Sequence, residues 1–351
     1  MRLILKVLLR IVVIAILITV IIFGIRWVQT NRYSEYIATD EESVYVEPAN
    51  LALYETEQAN MTVETIEEGY VNGFHLVPDE ILAEGAIFTF GGSEGSPNYE
   101  LAVQLANEGY EVYSLFFFGP GELPESIHEV PLDFYQEVLA YHEEHSQSDG
   151  PITVLGASKG AELTLNLATI YEEIDHIVLY APSTYNFFSL DQQNADASSW
   201  SYQDEPLPHL SNQSGSMIET MQMIAGFITY TPVSYQPIYD SVIEGSEAES
   251  LEAARIKAEE FTGEGIIFAG GDDLMWNSSQ MGEAIIEQAN QIELHNYPEA
   301  GHLFSNKRYL GDSAGLIALG GNDEANQAAL EESHAILLEN LANWHNKEYK
   351  M

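Results

Sequence analysis

The sequence predicts an α/β fold: a mostly parallel sheet with helices on both faces, broken by one insertion and preceded by a single apolar helix. Three observations carry this. Short apolar runs alternate with amphipathic runs from about Gly85 onward. Such runs read as strands buried on both faces, as in parallel sheets. Glycine-rich turns follow several of the strand runs, where open α/β sheets hold their ligands. Finally, 46% of the 351 residues are apolar, enough to fill a sizeable core.

The N-terminus comes first. MRLILKVLLRIVVIAILITVIIFGIRW opens with Arg2, Lys6 and Arg10 and continues as an almost unbroken apolar run from Ile11 to Ile25. That run alone falls short of the roughly 20 residues that cross a bilayer. Counted from Val7 to Val28, with Arg10 and Arg26 reaching outward and Trp27 at the interface, it is long enough. A cleaved signal sequence is the rival reading, but GIRWVQT after Phe23 offers no clean small-x-small cleavage site. Residues 1–28 are therefore expected to be a cytoplasmic end and a membrane anchor. Basic residues precede the span and acidic ones follow it. The positive-inside rule then predicts a single-pass cell-membrane protein with its body outside the cytoplasm.

Residues 29–75 read as a polar, acidic spacer with short strands in SVYVEP and MTVETIEEGYVNGFHLVP. Residues 76–351 form the expected main domain. Its strands are AIFTF, YEVYSLFFF, PITVLG, HIVLYAP, GIIFAGG and QIELHNYP. Its helices are NYELAVQLANEGY, PLDFYQEVLAYHEEHS, SKGAELTLNLATIYEEI and EANQAALEESHAILLENLANWHNK. The rhythm breaks between about residues 184 and 260. This insertion holds SSWSYQDEPLPHL and the Met-rich MIETMQMIAGFI, and it reads as a cap over the strand ends. Its methionines and aromatics are either plain core or a flexible lining for an acyl chain.

Charge and cysteine content narrow the function classes. The chain has 55 acidic and 12 basic side chains, a net charge of −43. The acids are spread along the chain, so they read as a solvated surface that repels nucleic acid; no nucleic-acid partner is expected. Cysteine is absent, which excludes a disulfide frame, a thiol nucleophile and a thiolate metal site.

The chemistry starts at Gly156-Ala157-Ser158-Lys159-Gly160, a G-x-S-x-G stretch between a strand run and a helix run. This is the pattern of a nucleophile elbow, in which the serine sits on a sharp strand-to-helix turn. The alternative is a structural turn with a small residue in it. An elbow would lift the Ser158 hydroxyl above the sheet and leave the Lys159 N–H at a helix N-terminus, where an oxyanion is stabilised. A serine nucleophile needs a base, and the base needs an acid to orient it. Among the histidines after Ser158, only His302, in YPEAGHLF, stands on a loop directly after a strand. GIIFAGGDDLMW supplies the acid: Asp273 by its distance from Gly270, with Asp272 as the fallback. The second oxyanion N–H is expected in FGGSEG, from Gly92 or Ser93, because glycine lets backbone approach a substrate closely. Glu162 is expected to hold the elbow by pairing with a neighbouring donor.

FGGSEGS, GASKGAE, SSWSYQDEPLP, AGGDDLMWNSS and YPEAGH occur in that order. Together they resemble the C-terminal hydrolase domain of the acyl-CoA thioester hydrolase and bile acid-CoA:amino acid N-acyltransferase family, from about Gly85 to Trp344. The resemblance implies an α/β-hydrolase fold and a triad of Ser158, Asp273 and His302. A serine at the elbow fits the thioesterase branch of that family rather than the acyltransferase branch, which is associated with cysteine. Mammalian members carry a β-sandwich ahead of the hydrolase, and the stretch between the anchor and AIFTF is too short for one.

The expected protein is thus a membrane-anchored serine hydrolase of acyl thioesters that needs no metal or organic cofactor. Its partners are a small acyl thioester or ester substrate and the membrane. Two other readings stay open: an extracytoplasmic carboxylesterase or lipase with the same triad, and a surface binding protein on a hydrolase scaffold.

Overall fold

The structure, a computed structural model, describes residues 2–37, 47–312 and 314–347. Most of the strand expected in SVYVEP lies outside the described residues. Helix α1 spans Arg2–Arg32. It is followed by β1 (Met61–Glu68), β2 (Val71–Pro78), β3 (Ala86–Phe90), α2 (Tyr99–Asn107), β4 (Glu111–Leu115), the short β5 (Val130–Pro131), α3 (Phe134–His145), β6 (Ile152–Ala157), α4 (Lys159–Ile170) and β7 (His176–Tyr180). An insertion then carries β8 (Trp200–Tyr202), β9 (Glu205–Pro206), α5 (Met217–Thr229), α6 (Gln236–Gly245) and α7 (Ala248–Ala254). The main domain resumes with β10 (Glu264–Gly270), α8 (Ser278–Gln288), β11 (Ile292–Tyr297), the hairpin β12 (Tyr309–Gly311) and β13 (Leu316–Ala318), and α9 (Asp323–Trp344).

Eight strands form one sheet in the order β1-β2-β4-β3-β6-β7-β10-β11. The six strands from β4 to β11 in that order are parallel, while β1 and β2 form an antiparallel edge. The spacer expected over residues 29–75 therefore contains β1 and most of β2, and a boundary at residue 76 falls inside a strand of the main sheet. The reason is pairing: β2 is hydrogen-bonded to β4 from Gly73 to Leu76. The edge strand β1 has few buried side chains, Met61 and Ile66, so its sequence does not look like that of its buried neighbours.

Side chains alternate between the two faces, as the two-residue period of a strand requires. Phe88, Val154, Ile177, Leu179 and Ile267 join a core with α3, α4 and α8. Ile87, Leu155, Val178, Ile266 and Phe268 join a second core with α2 and α9. The two helices that flank the later strands start on asparagine caps. Asn277 accepts the Gln280 N–H at the start of α8, and Asn322 accepts the Ala325 N–H at the start of α9.

The end of α9 is locked by a buried histidine. His345 Nδ1–H donates to the Glu84 carbonyl at 2.6 Å, and the Thr153 hydroxyl donates to Nε2 at 2.7 Å. Burial lowers the pKa of His345 from 6.5 to about 4. The unfolded chain takes up this proton near pH 6.5 and the folded chain only near 4. The contribution to stability is therefore complete above about pH 6.5 and is lost as the pH falls toward 4, by about 3 kcal/mol in all. Urea unfolding at pH 7 and pH 4.5 is expected to show a smaller loss in His345→Gln than in the wild type. Equal losses would remove His345 from the account.

Helix α1 is long and apolar enough over Ile4–Arg32 to cross a membrane. The Met-rich piece expected to be core or acyl lining is α5, and two of its three methionines are not core. Met217 and Met221 are exposed, because the inward side of α5 is made by Glu219, Met223, Gly226 and Phe227. A cavity of about 410 Å³ lies on that inward side, and its walls include none of Ser158, Asp273 or His302.

Candidate active site

Four loops at the C-terminal ends of β3, β6, β10 and β11 bring the candidate residues together. Ser158 stands where β6 turns into α4, at φ 55° and ψ −118°. A serine occupies such backbone space only when its surroundings enforce it. Two glycines do so here. A Cβ at Gly156 would collide with the Gly160 carbonyl, and one at Gly160 would collide with the Gly91 carbonyl. The turn can therefore be tight enough to hold Ser158 against the loop after β3. Its N–H donates to the Tyr180 carbonyl at 2.8 Å. Ser158 also occupies the N-cap position of α4, where a serine oxygen ordinarily caps a helical N–H. It makes no such bond. Instead the hydroxyl is 2.9 Å from His302 Nε2.

His302 bridges to the acid. Its Nδ1–H donates to Asp273 Oδ2 at 2.9 Å, which leaves Nε2 as the acceptor facing Ser158. Asp273 is fixed from three further sides. Oδ2 accepts the Ser278 hydroxyl at 2.7 Å, and Oδ1 accepts the N–H groups of Met275 and Trp276 at 2.8 and 3.3 Å. Trp276 meets the His302 ring edge-on, with centroids 5.8 Å apart. Ser158 is 6% exposed, and Asp273 and His302 are each 3% exposed. The fallback acid is placed elsewhere: Asp272 is exposed and accepts the Gly321 N–H at 2.9 Å. The His302 loop is held from α9, where Asn326 accepts the Gly301 N–H and donates to the Ser305 carbonyl.

The expected oxyanion donors separate. Lys159 is the first residue of α4, where helical N–H groups lack an intrahelical acceptor. Gly92 is packed against Ser158, since a Cβ there would lie 3.1 Å from Ser158 Cβ. Ser93 is exposed on the turn beyond it. The Gly92 N–H already has a partner: it donates to Glu94 Oε1 at 3.0 Å, and the Ser96 hydroxyl donates to the same oxygen at 2.6 Å. Glu94 was not expected from the sequence: its carboxylate folds back onto the N–H of the residue two positions before it. Replacing it frees an N–H and removes an opposing charge. Glu94→Ala is expected to raise kcat/KM for a neutral p-nitrophenyl ester by up to about tenfold, or 1.4 kcal/mol of barrier. A drop in steady-state rate would instead make Glu94 a support of the loop.

The elbow is tied to the insertion by a buried ion pair. Lys159 Nζ donates to Glu162 Oε2 at 2.7 Å and to the Ser199 hydroxyl at 2.9 Å. Glu162 Oε1 accepts the Trp200 indole N–H at 2.7 Å and the Phe187 N–H at 3.1 Å. The Lys159 ammonium also lies 5.2 Å from the centre of the Trp200 ring. Burial pulls the Lys159 pKa below its usual value, and the Glu162 carboxylate opposes that shift. SSWSY therefore meets the elbow through Ser199 and Trp200. Beside it, Phe187 and Tyr239 pack on Trp276 of the acid loop.

A sequence model of the family described as BAAT / acyl-CoA thioester hydrolase C-terminal matches residues 130–306, half of the chain. The chain belongs to this family. The matched segment contains Ser158, Asp273 and His302, whereas Gly92 and Glu94 precede it. Human acyl-coenzyme A thioesterase 6 is 28% identical over 233 residues, which cover 65% of this chain and 50% of that protein. Human acyl-coenzyme A thioesterase 1 is 24% identical over 269 residues, covering 74% and 58%. Mouse acyl-coenzyme A amino acid N-acyltransferase 2 is 32% identical over 134 residues, covering 37% and 32%. This family member spans about half the length of the curated relatives it matches. Among solved structures, a Pyrococcus furiosus esterase aligns at a TM-score of 0.47 with 14% identity, covering 88% of this chain and 97% of that one.

Proposed function

We propose that the protein is a serine hydrolase that cleaves acyl thioesters or esters through Ser158, His302 and Asp273. The observation that carries this reading is His302, which lies 2.9 Å from both Ser158 Oγ and Asp273 Oδ2. Ser158 Oγ attacks the acyl carbonyl carbon as its proton passes to His302 Nε2. Asp273 holds the imidazole in the tautomer that can accept it. The tetrahedral oxyanion is held by the Lys159 N–H and, once Glu94 moves aside, by the Gly92 N–H. His302 then protonates the leaving thiol or alcohol, and an acyl-enzyme remains on Ser158. Water, deprotonated by His302, attacks the acyl-enzyme and releases the carboxylic acid. As the acyl–Oγ bond breaks, His302 returns the proton taken from water to Ser158 Oγ, which restores the starting state.

The family relatives favour an acyl-CoA thioester as substrate. The charge of −43 and the apolar α1 favour a neutral ester or lipid outside the cytoplasm, since a body so acidic repels the anionic coenzyme A. In this second reading α1 anchors the chain in the cell membrane, with its N-terminus in the cytoplasm and the hydrolase outside. The insertion serves as a cap that selects the acyl group. A fluorophosphonate probe is expected to label the wild type and to fail on Ser158→Ala and His302→Ala. An unlabelled wild type would leave a binding protein on a hydrolase scaffold. Turnover of acyl-CoA, p-nitrophenyl esters and lipid esters, compared side by side, then decides between thioester and ester.

A further inference from the structure

Helix α5 presents an unusual outer face. Met217, Ile218, Met221, Ile224 and Ile228 are all large, apolar and 48–73% exposed. They recur at helical spacing, so they form one stripe along the helix. The stripe is continuous with α1. Arg26 of α1 donates to the carbonyls of Phe227 and Ile228 at 2.7 and 3.2 Å, in the last turn of α5, where helical carbonyls run short of intrahelical donors. Its guanidinium also lies over the Tyr230 ring. A few residues on, Tyr33 and Tyr36 stack edge-on against Tyr309 of β12, with centroids 5.1 Å apart in each pair. The exit of α1 is thus seated on both α5 and the β12–β13 hairpin.

Cations gather at this seat, beside the acids Glu35, Asp312 and Asp323. Of the 12 basic residues, Arg26, Arg32, Lys307 and Arg308 lie at or beside this junction, in a chain with 55 acids. Leu310, on the same hairpin, is another exposed apolar side chain. A stripe of apolar residues with cations at its edge fits the boundary between phospholipid headgroups and acyl chains.

We infer that α5 lies in the surface of the phospholipid bilayer that α1 crosses, with its Met217–Ile228 stripe against acyl chains. This rests on the reading of α1 as a membrane span. It also turns a defined edge of the site toward the lipid. The segment leaving α5 is tied at Tyr235 and Gln236 to the carbonyl of Leu274, the residue after Asp273. The hairpin that receives α1 is followed by Leu319, whose carbonyl accepts the His302 N–H. The lipid-facing elements are therefore bonded directly to the loops that carry the acid and the base.

The absence of cysteine makes the test clean. Met221→Cys, Ile224→Cys and Ile228→Cys are each made in the full chain, spin-labelled and reconstituted in phosphatidylcholine–phosphatidylglycerol vesicles. Ile14→Cys in α1 and Glu283→Cys on exposed α8 serve as references. The expected result is an oxygen-to-nickel accessibility ratio about tenfold higher at the three α5 sites than at position 283, approaching that at position 14. If position 14 reads lipid while the α5 labels read water, the α5 inference fails and the anchor stands. If position 14 also reads water, the anchor reading fails and takes the inference with it. Labels screened from both oxygen and nickel would mean that protein covers the stripe, which also overturns the inference.

Discussion

Ser158→Ala is expected to reduce kcat on any substrate that the protein turns over by on the order of 10⁵, with no loss of thermal stability. The stability expectation follows from the geometry. The hydroxyl caps no helical N–H, and its hydrogen bond runs only to His302. Alanine keeps the Cβ at this left-handed position, so the elbow keeps its shape. His302→Ala should cost about as much, because an alcohol without its base is a poor nucleophile at neutral pH. The double variant should be no worse than either single one, since the two residues act as one unit. Asp273→Asn should lose about 10⁴, as the amide N–H favours the wrong imidazole tautomer. Single-turnover kinetics on purified variants, with Tm recorded alongside, checks each value. Multiplicative losses in the double variant would show that Ser158 and His302 do not work on the same step.

The second large effect is on folding. Glu162→Ala is expected to lower the unfolding free energy by about 3–5 kcal/mol, because it leaves the Lys159 ammonium buried without a counter-charge. It also strips the Trp200 indole N–H and the Phe187 N–H of their acceptor. Lys159→Met alone should cost a similar amount by stranding the carboxylate. The double variant Lys159→Met, Glu162→Ala should be markedly less damaged than the sum, since a buried pair replaced by apolar side chains leaves neither charge behind. Urea unfolding of the four proteins closes the cycle. Additive losses would mean that the pair does not couple the elbow to the insertion. Activity adds a second reading of the same bond. Lys159 follows Ser158 directly and supplies the proposed oxyanion N–H, so loosening its side chain should lower kcat more than it raises KM.

Much of the candidate site was legible because each of its features has a local cause. G-x-S-x-G is readable because the close approaches at Gly156 and Gly160 tolerate no side chain. His302 and Asp273 are readable because each follows a strand whose apolar run is itself plain. Glu94 was missed because its role depends on a side chain folding back onto the Gly92 N–H two residues away, which spacing does not reveal. Ser278 and Asn326 were missed for a related reason. They act on the acid loop and the His302 loop from the starts of α8 and α9. The outward turn of α5 is not legible because a Met-rich apolar helix has the same composition whether it faces a core, a cavity or a bilayer.

The sequence by itself determined the strand and helix order, the elbow and the three residues that meet at it. These follow from hydrophobic period and from backbone sterics, which act over a few residues. Tertiary structure alone decided the occupation of the Gly92 N–H by Glu94 and the burial of Lys159 with Glu162 against Trp200. It also joined β1 and β2 to the main sheet and set α5 beside the exit of α1. Each of these depends on which surface a side chain or strand edge meets once the chain has closed on itself. That is a property of contacts between distant residues, and the local pattern of the chain does not encode it.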